Sequence, residues 1–169
     1  AELAGAVARH LMAARAVTTD PDDSEALAAK ASVALSDTAA RATQMHSHAQ
    51  GLLTIEEALA ITTNPTERAT LWQRAARSAS ALARHEVAIR YARMALDWYR
   101  DQGDSVDIAS AAVVAGDVLC SSFRPGEAID VLEPVLEAEP VFAEPQSVTA
   151  GATLARAYLM ALRDSDAAA

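Results

Sequence analysis

Apolar residues recur every three or four positions over long stretches of the chain, and short polar breaks separate those stretches. This spacing sets a continuous apolar stripe along one side of an α-helix. The breaks are Asp20-Pro21-Asp22-Asp23-Ser24, Thr62-Thr63-Asn64-Pro65-Thr66, Gly103-Asp104-Ser105, and Glu139-Pro140 with Pro145 close behind. Proline or glycine stops a helix at each of them. Ser24, Asn64, Thr66, Asp104 or Ser147 can cap the next helix by accepting hydrogen bonds from its unpaired N–H groups.

The stretches are copies of one another. HEVAIRYARMALDWY, from His85, superposes without gaps on PGEAIDVLEPVLEAEP, from Pro125, so that Ala88-Ile89 lies over Ala128-Ile129 and Ala95-Leu96 over Val135-Leu136. In the same frame Gly51-Leu52 and Ala58-Leu59 take those positions upstream, and Ala167 is the next equivalent. Positions 51, 88, 128 and 167 are 37, 40 and 39 residues apart, a period of about 39. Each period holds two helices, the first ending near His46, Arg84 and Arg124 and the second starting at once, which predicts helical hairpins. Hairpins crossing closely need small residues at the contact, here Ala76, Ala88, Gly116 and Ala128. Trp72, Leu96, Leu132, Leu136 and Leu154 are expected to fill the space between neighbouring hairpins, since one repeat cannot bury its apolar face alone.

Composition sharpens the fold class more than the function. Hydrophobic residues make up 51% of the 169 positions but aromatics only 4%, and alanine alone supplies about a quarter. Alanine and leucine favour helix, whereas the residues that favour strands are scarce, so the chain is expected to be all-α. Fourteen basic residues face 23 acidic ones, for a net charge of −9. Lys30 is the single lysine and the arginines are scattered among carboxylates. No basic patch forms, which argues against nucleic acid as a partner. Cys120, the one cysteine, excludes an internal disulfide and fits a reducing cytoplasm. No window reaches the run of about 18 apolar residues needed to cross a bilayer.

At this point the sequence resembles the tetratricopeptide repeat family. Trp72, Ala88 and Ala95 fall on its tryptophan and two second-helix small positions, Gly116, Ala128 and Pro140 on its glycine, alanine and terminal proline, and Leu154, Ala155 and Tyr158 on its leucine, small and tyrosine positions. The first unit departs from the pattern, with Thr38-Ala39 where leucine and glycine are usual and Gly51 in the alanine place. The resemblance implies a right-handed α-solenoid of TPR-like hairpins over residues 24–169, its last hairpin incomplete, preceded by a capping helix and linker over residues 1–23. The wording of residues 2–14 and of Asn64 to Ala69 is also similar to the helical arm of large actinobacterial-type regulators, which couple an ATPase module to such an arm and, in some, to an adenylate-cyclase-like or LuxR-type domain.

Catalytic chemistry finds no foothold in the residues. The glycines at 5, 51, 103, 116, 126 and 151 are isolated and none opens a phosphate loop. Nor is there a nucleophile elbow or a helical His-Glu-x-x-His pair. His46 and His48 sit two apart, which on a helix turns them about 200° from one another, so a polar hairpin turn is the simpler reading. His85 reads as a turn residue and His10 as an interhelical edge. Glu56-Glu57 and Glu137/Glu139 read as solvated faces. No cofactor or metal is implied, and the chain is not expected to be an enzyme.

The resemblance places ligands on the inner face made by the first helices. Its positions carry over to Thr70, Gln73, Arg77 and Ser80, to Ser110, Val113, Asp117 and Ser121, and to Thr149, Ala152, Arg156 and Leu159. An arginine fork suits a carboxylate, so Arg77 and Arg156 could clamp an acidic residue of a partner, with Gln73 and Ser110 orienting it. Equally, Asp117 could pair internally with one of the arginines. The lysine and asparagine of the family's peptide-carboxylate clamps are missing. The expected function is a non-catalytic protein-protein interaction arm of a larger signalling or transcriptional regulator, contacting protein or peptide, including other domains of its own chain. The alternatives are a free-standing adaptor binding an extended peptide and an oligomerisation module that pairs through Leu159, Met160 and Leu162 of the last hairpin.

Overall fold

A computed structural model describes residues 2–138 and 145–167, and all of its regular structure there is helical: α1 (Glu2–Val17), α2 (Pro21–Gln44), α3 (His48–Ile61), α4 (Pro65–Ala81), α5 (His85–Gln102), α6 (Ser105–Ser121), α7 (Pro125–Ala138) and α8 (Pro145–Ala167). Two compact units divide them, Ala1–Leu82 with α1 to α4 and Ala83–Ala169 with α5 to α8. Consecutive helices pack in hairpins within each unit, and in the second unit α8 also packs on α6. The break at Glu139-Pro140 lies outside the described residues, and Ser147 falls inside α8. Among the described residues no helix is long and apolar enough to cross a membrane.

Two kinds of turn alternate, and each has its own chemistry. The first helices of the hairpins begin on an Asx cap: Asp20 Oδ1 accepts from Asp22 N at 2.9 Å, Asn64 Oδ1 from Thr66 N at 3.0 Å, and Asp104 Oδ1 from Val106 N at 3.0 Å. Asp20 rather than Ser24 caps α2, because Pro21 takes the first helical position, where its missing N–H and fixed φ cost nothing. Ser24 Oγ instead accepts from Arg15 Nε of α1 at 3.4 Å. Within the units the chain turns through a left-handed residue at His46 (φ 57) and Phe123 (φ 58), and Ala83 (φ 54), between α4 and α5, takes the same backbone conformation. After His46 and Phe123 the next N–H closes back on the helix, Ser47 N to Ala42 O at 2.8 Å and Arg124 N to Leu119 O at 2.9 Å. These are Schellman closures occupied by residues with a Cβ.

Small residues set the helix separations. Ala76, Ala88 and Ala128 are fully buried. A Cβ built on Gly116 of α6 would stand 2.6 Å from Leu132 Cδ1 of α7 and 3.2 Å from Thr153 Cγ2 of α8, so the absent methyl is what lets both helices approach. Gly51 holds the alanine place for a similar reason: its Cβ would meet Thr43 Oγ1 of α2 at 2.9 Å. Leu96 and Leu132 are buried as expected, whereas Trp72, Leu136 and Leu154 are only half-buried. Leu71 takes the core position beside Trp72, and one residue along a helix turns the side chain by about 100°. Trp72 is left at the edge, with the Arg68 guanidinium 5.5 Å from its ring centre.

Polar bonds tie α4 to α2 and to the end of α3. Ser32 Oγ donates to Glu67 Oε1 at 2.6 Å and Arg74 Nη1 to Ser36 Oγ at 2.7 Å, while Arg68 Nη1 binds the carbonyls of Leu59 and Thr62 at 2.8 and 2.9 Å.

Gly116→Val should cost roughly 1–3 kcal/mol in urea unfolding, because the crossing cannot absorb the branched side chain. Gly126→Ala, whose Cβ meets nothing within 4 Å, should leave stability unchanged or raise it by up to about 1 kcal/mol. His46→Gly should stabilise by roughly 1 kcal/mol, since glycine enters the left-handed region without the Cβ penalty; a lowered midpoint would contradict that account of the turn.

Candidate functional site

The residues carried over by the resemblance divide between the units. Thr70, Gln73 and Arg77 stand on α4, with Thr70 and Arg77 exposed and Gln73 buried. In the second unit Ser110, Asp117 and Ser121 stand on α6 and Thr149 and Arg156 on α8. Several inner-face positions are buried or bonded: Ser121 Oγ donates to Asp117 O at 2.8 Å, Thr70 Oγ1 donates to Thr66 O at 3.2 Å, and Gln73 is 9% exposed.

Asp117 and Arg156 come together. Arg156 Nη2 donates to Asp117 Oδ1 at 2.8 Å, and the two side chains keep 50% and 48% of their exposure. The internal pairing that the sequence left open is therefore present, with Arg156 as the partner. Thr153 Oγ1, one turn before Arg156 and buried beside Gly116, lies 3.5 Å from the same carboxylate oxygen. The sequence reading missed Thr153, although it sits three residues before Arg156 on the same helix face.

A second bond holds α8 from its other side. Tyr158 donates its phenol to Glu133 of α7. That hydrogen bond, then burial and the negative charges of Glu133 and Glu137, hold the phenol above the usual tyrosine range, because each disfavours the tyrosinate. Helix α8 is thus clasped to α6 by an ion pair and to α7 by a phenol.

His85 Nδ1 lies 3.1 Å from Ser122 Oγ. The His46 and His48 rings are 6.2 Å apart, edge to face, and among the described residues no three His, Cys, Asp or Glu side chains are grouped to hold a metal ion. Cys120 is buried in α6. On the opposite side of the second unit, Arg93 of α5 meets Glu127 of α7 at 2.6 Å, and Glu127 also accepts from Arg124 Nε at 2.5 Å.

No family model matches the chain, and no curated protein matches it. Among solved structures the chain is similar to a kinesin light chain-like protein of Podosopora anserina described as having nearly identical TPR-like repeats, with a TM-score of 0.69 over 98% of this chain and 80% of that one. Identity is 14%, so the likeness speaks for the fold. The fold is a TPR-like helical repeat.

Replacing Glu133 by Gln should lower the pH at which Tyr158 ionises, read from the tyrosine ring-carbon resonances. A phenol held above its unfolded value contributes stability that is complete below the ordinary tyrosine range and is lost as pH rises through the folded value. Arg156→Ala should change the free energy of urea unfolding by no more than about 1 kcal/mol, because half-exposed ion pairs contribute little.

Proposed function

We propose that this chain is a non-catalytic interaction arm of a larger signalling or transcriptional regulator, working in the cytoplasm against other domains of its own chain or a separate protein. The observation that carries the reading is the exposed Asp117–Arg156 pair on a TPR-like repeat. Opening a half-exposed pair costs little. An acidic residue of a partner can therefore replace Asp117 on the Arg156 fork and gain a charge-assisted bidentate bond. Ser110, Ser121 and Thr149 would line the approach in the second unit, and Thr70, Gln73 and Arg77 would serve the same purpose on α4. The wording of residues 2–14 and 64–69 supports the regulator context, in which the arm biases an attached ATPase by contacting it differently in two states.

A second reading rests on α8. Leu159 is 63% and Leu162 61% exposed, and two copies could cover those side chains by pairing.

The coding DNA on both sides of the segment tests the regulator context. A nucleotide-binding phosphate loop upstream is expected. A start codon directly before Ala1 and a stop directly after Ala169 would replace it with a free-standing adaptor. Cross-linking the chain together with its neighbouring domains should then give products from α6 and α8 that Arg156→Glu diminishes, and nucleotide turnover by this chain alone would sink the proposal. Light scattering over a concentration series decides the second reading: doubling of the mass supports pairing, and a constant monomer mass removes it.

A further inference from the structure

The two units carry the same groove in two conditions. In the second unit α5 and α7 flank α6, and between them lies a cavity of about 130 Å³. Its walls include Arg93 and Leu96 of α5, Leu119 of α6, and Glu127, Asp130 and Val131 of α7. The Arg93–Glu127 ion pair at 2.6 Å bridges the walls.

In the first unit α1 and α3 flank α2, and the counterpart groove encloses about 420 Å³. The walls correspond in two registers, α1 against α5 at an offset of 84 positions and α3 against α7 at 70, and α2 is seven residues longer than α6. Arg9 and Arg93 each precede a capping aspartate, Asp20 and Asp104, by eleven positions, and Leu35 and Leu119 each follow it by fifteen. Ala8-Arg9 with Met12 repeats Ala92-Arg93 with Leu96, and Glu57 with Ile61 repeats Glu127 with Val131. Both charges are therefore in place. They are not bridged: among the described residues Arg9 and Glu57 make no ion pair or side-chain hydrogen bond, and both are exposed. The third wall residue has also changed, from Asp130 to Ala60, which makes the wider groove more apolar.

We propose that the α1/α3 groove is a binding site for a short zwitterion with an apolar body, of the size of a dipeptide with free termini. Its carboxylate takes the Arg9 guanidinium, its ammonium takes Glu57, and its apolar side chains cover Met12, Leu35 and Ile61. The ligand thereby supplies across the open groove the charge bridge that Arg93 and Glu127 make for themselves. The volume falls in the range of small-molecule sites, about 300–1,000 Å³, and the lining has their character, apolar with a few convergent polar groups. The guanidinium fork is suited to a carboxylate and a lone carboxylate to an ammonium. This inference does not depend on the Asp117–Arg156 reading, which concerns the other unit.

The test is a titration of the full chain with Leu-Leu, followed by methyl resonances. Saturable shifts of Met12 and Ile61 are expected, with Leu96 and Val131 in the bridged groove unmoved. Acetylating the amine or amidating the carboxylate of the dipeptide should weaken binding by up to about fivefold, the upper end of what one exposed ion pair supplies. Arg9→Glu should abolish it, and Arg9→Glu combined with Glu57→Arg should restore it with the ligand reversed; circular dichroism on each variant confirms that helix content is kept. Three results would overturn the proposal: no saturable shift with Leu-Leu, equal affinity for N-acetyl-Leu-Leu-amide, or binding untouched by Arg9→Glu in a folded chain. Energetic coupling between Arg9 and Glu57 in the ligand-free chain, with no dipeptide bound, would also overturn it, since the groove would then close on its own pair.

Discussion

The separation between helices is the quantity on which everything else in this chain depends, and small side chains set it. Gly116 lets α6 touch α7 and α8 at once, because a methyl there would collide with Leu132 and crowd Thr153. Ala76, Ala88 and Ala128 are fully buried as well. Once helix axes are that near, short polar side chains can reach across: Ser32 meets Glu67, Arg74 meets Ser36, and Arg156 meets Asp117. The charged pairs at the surface are too exposed to hold the fold. One gap between helices is bridged by such a pair, Arg93 with Glu127, and the corresponding gap at Arg9 and Glu57 is not.

Most of the hairpin frame was legible because two periodicities agree, the helical spacing of apolar residues and the longer repeat of about 39 residues. The turns near His46, Arg84 and Arg124 follow from that frame and are found where it puts them, with α3, α5 and α7 starting at His48, His85 and Pro125. Local errors arose where two neighbouring residues could each play a part. Asp20 and Ser24 both qualify as caps, and the deciding factor is Pro21, whose ring favours the first helical position. Trp72 and Leu71 both qualify as core, and the helix can turn only one of them inward.

The site was half legible. Asp117 and Arg156 are 39 residues apart, one repeat, so the frame itself places them on facing helices. Which of two arginines would pair with Asp117 depends on how first helices sit against each other, which no spacing encodes. The α1/α3 groove was hidden more thoroughly. Glu57 beside Glu56 looks like an ordinary solvated face, and Arg9 lies in a helix outside the repeat frame. The available signal was the likeness of VARHLM (7–12) to YARMAL (91–96), and its meaning emerges only when the walls of the two grooves are set side by side.

Interfaces built from alanine have a further property. An alanine side chain has no rotamers to exchange, so it neither loses conformational entropy on burial nor offers an alternative packing state. A core of leucines can absorb a disturbance by switching torsion angles, whereas surfaces dominated by Ala28, Ala31, Ala58, Ala75 and Ala79 in one unit, or Ala109, Ala111, Ala112 and Ala115 in the other, cannot. Displacement of one helix there has to be taken up by its neighbour as a whole, through sliding of nearly smooth cylinders.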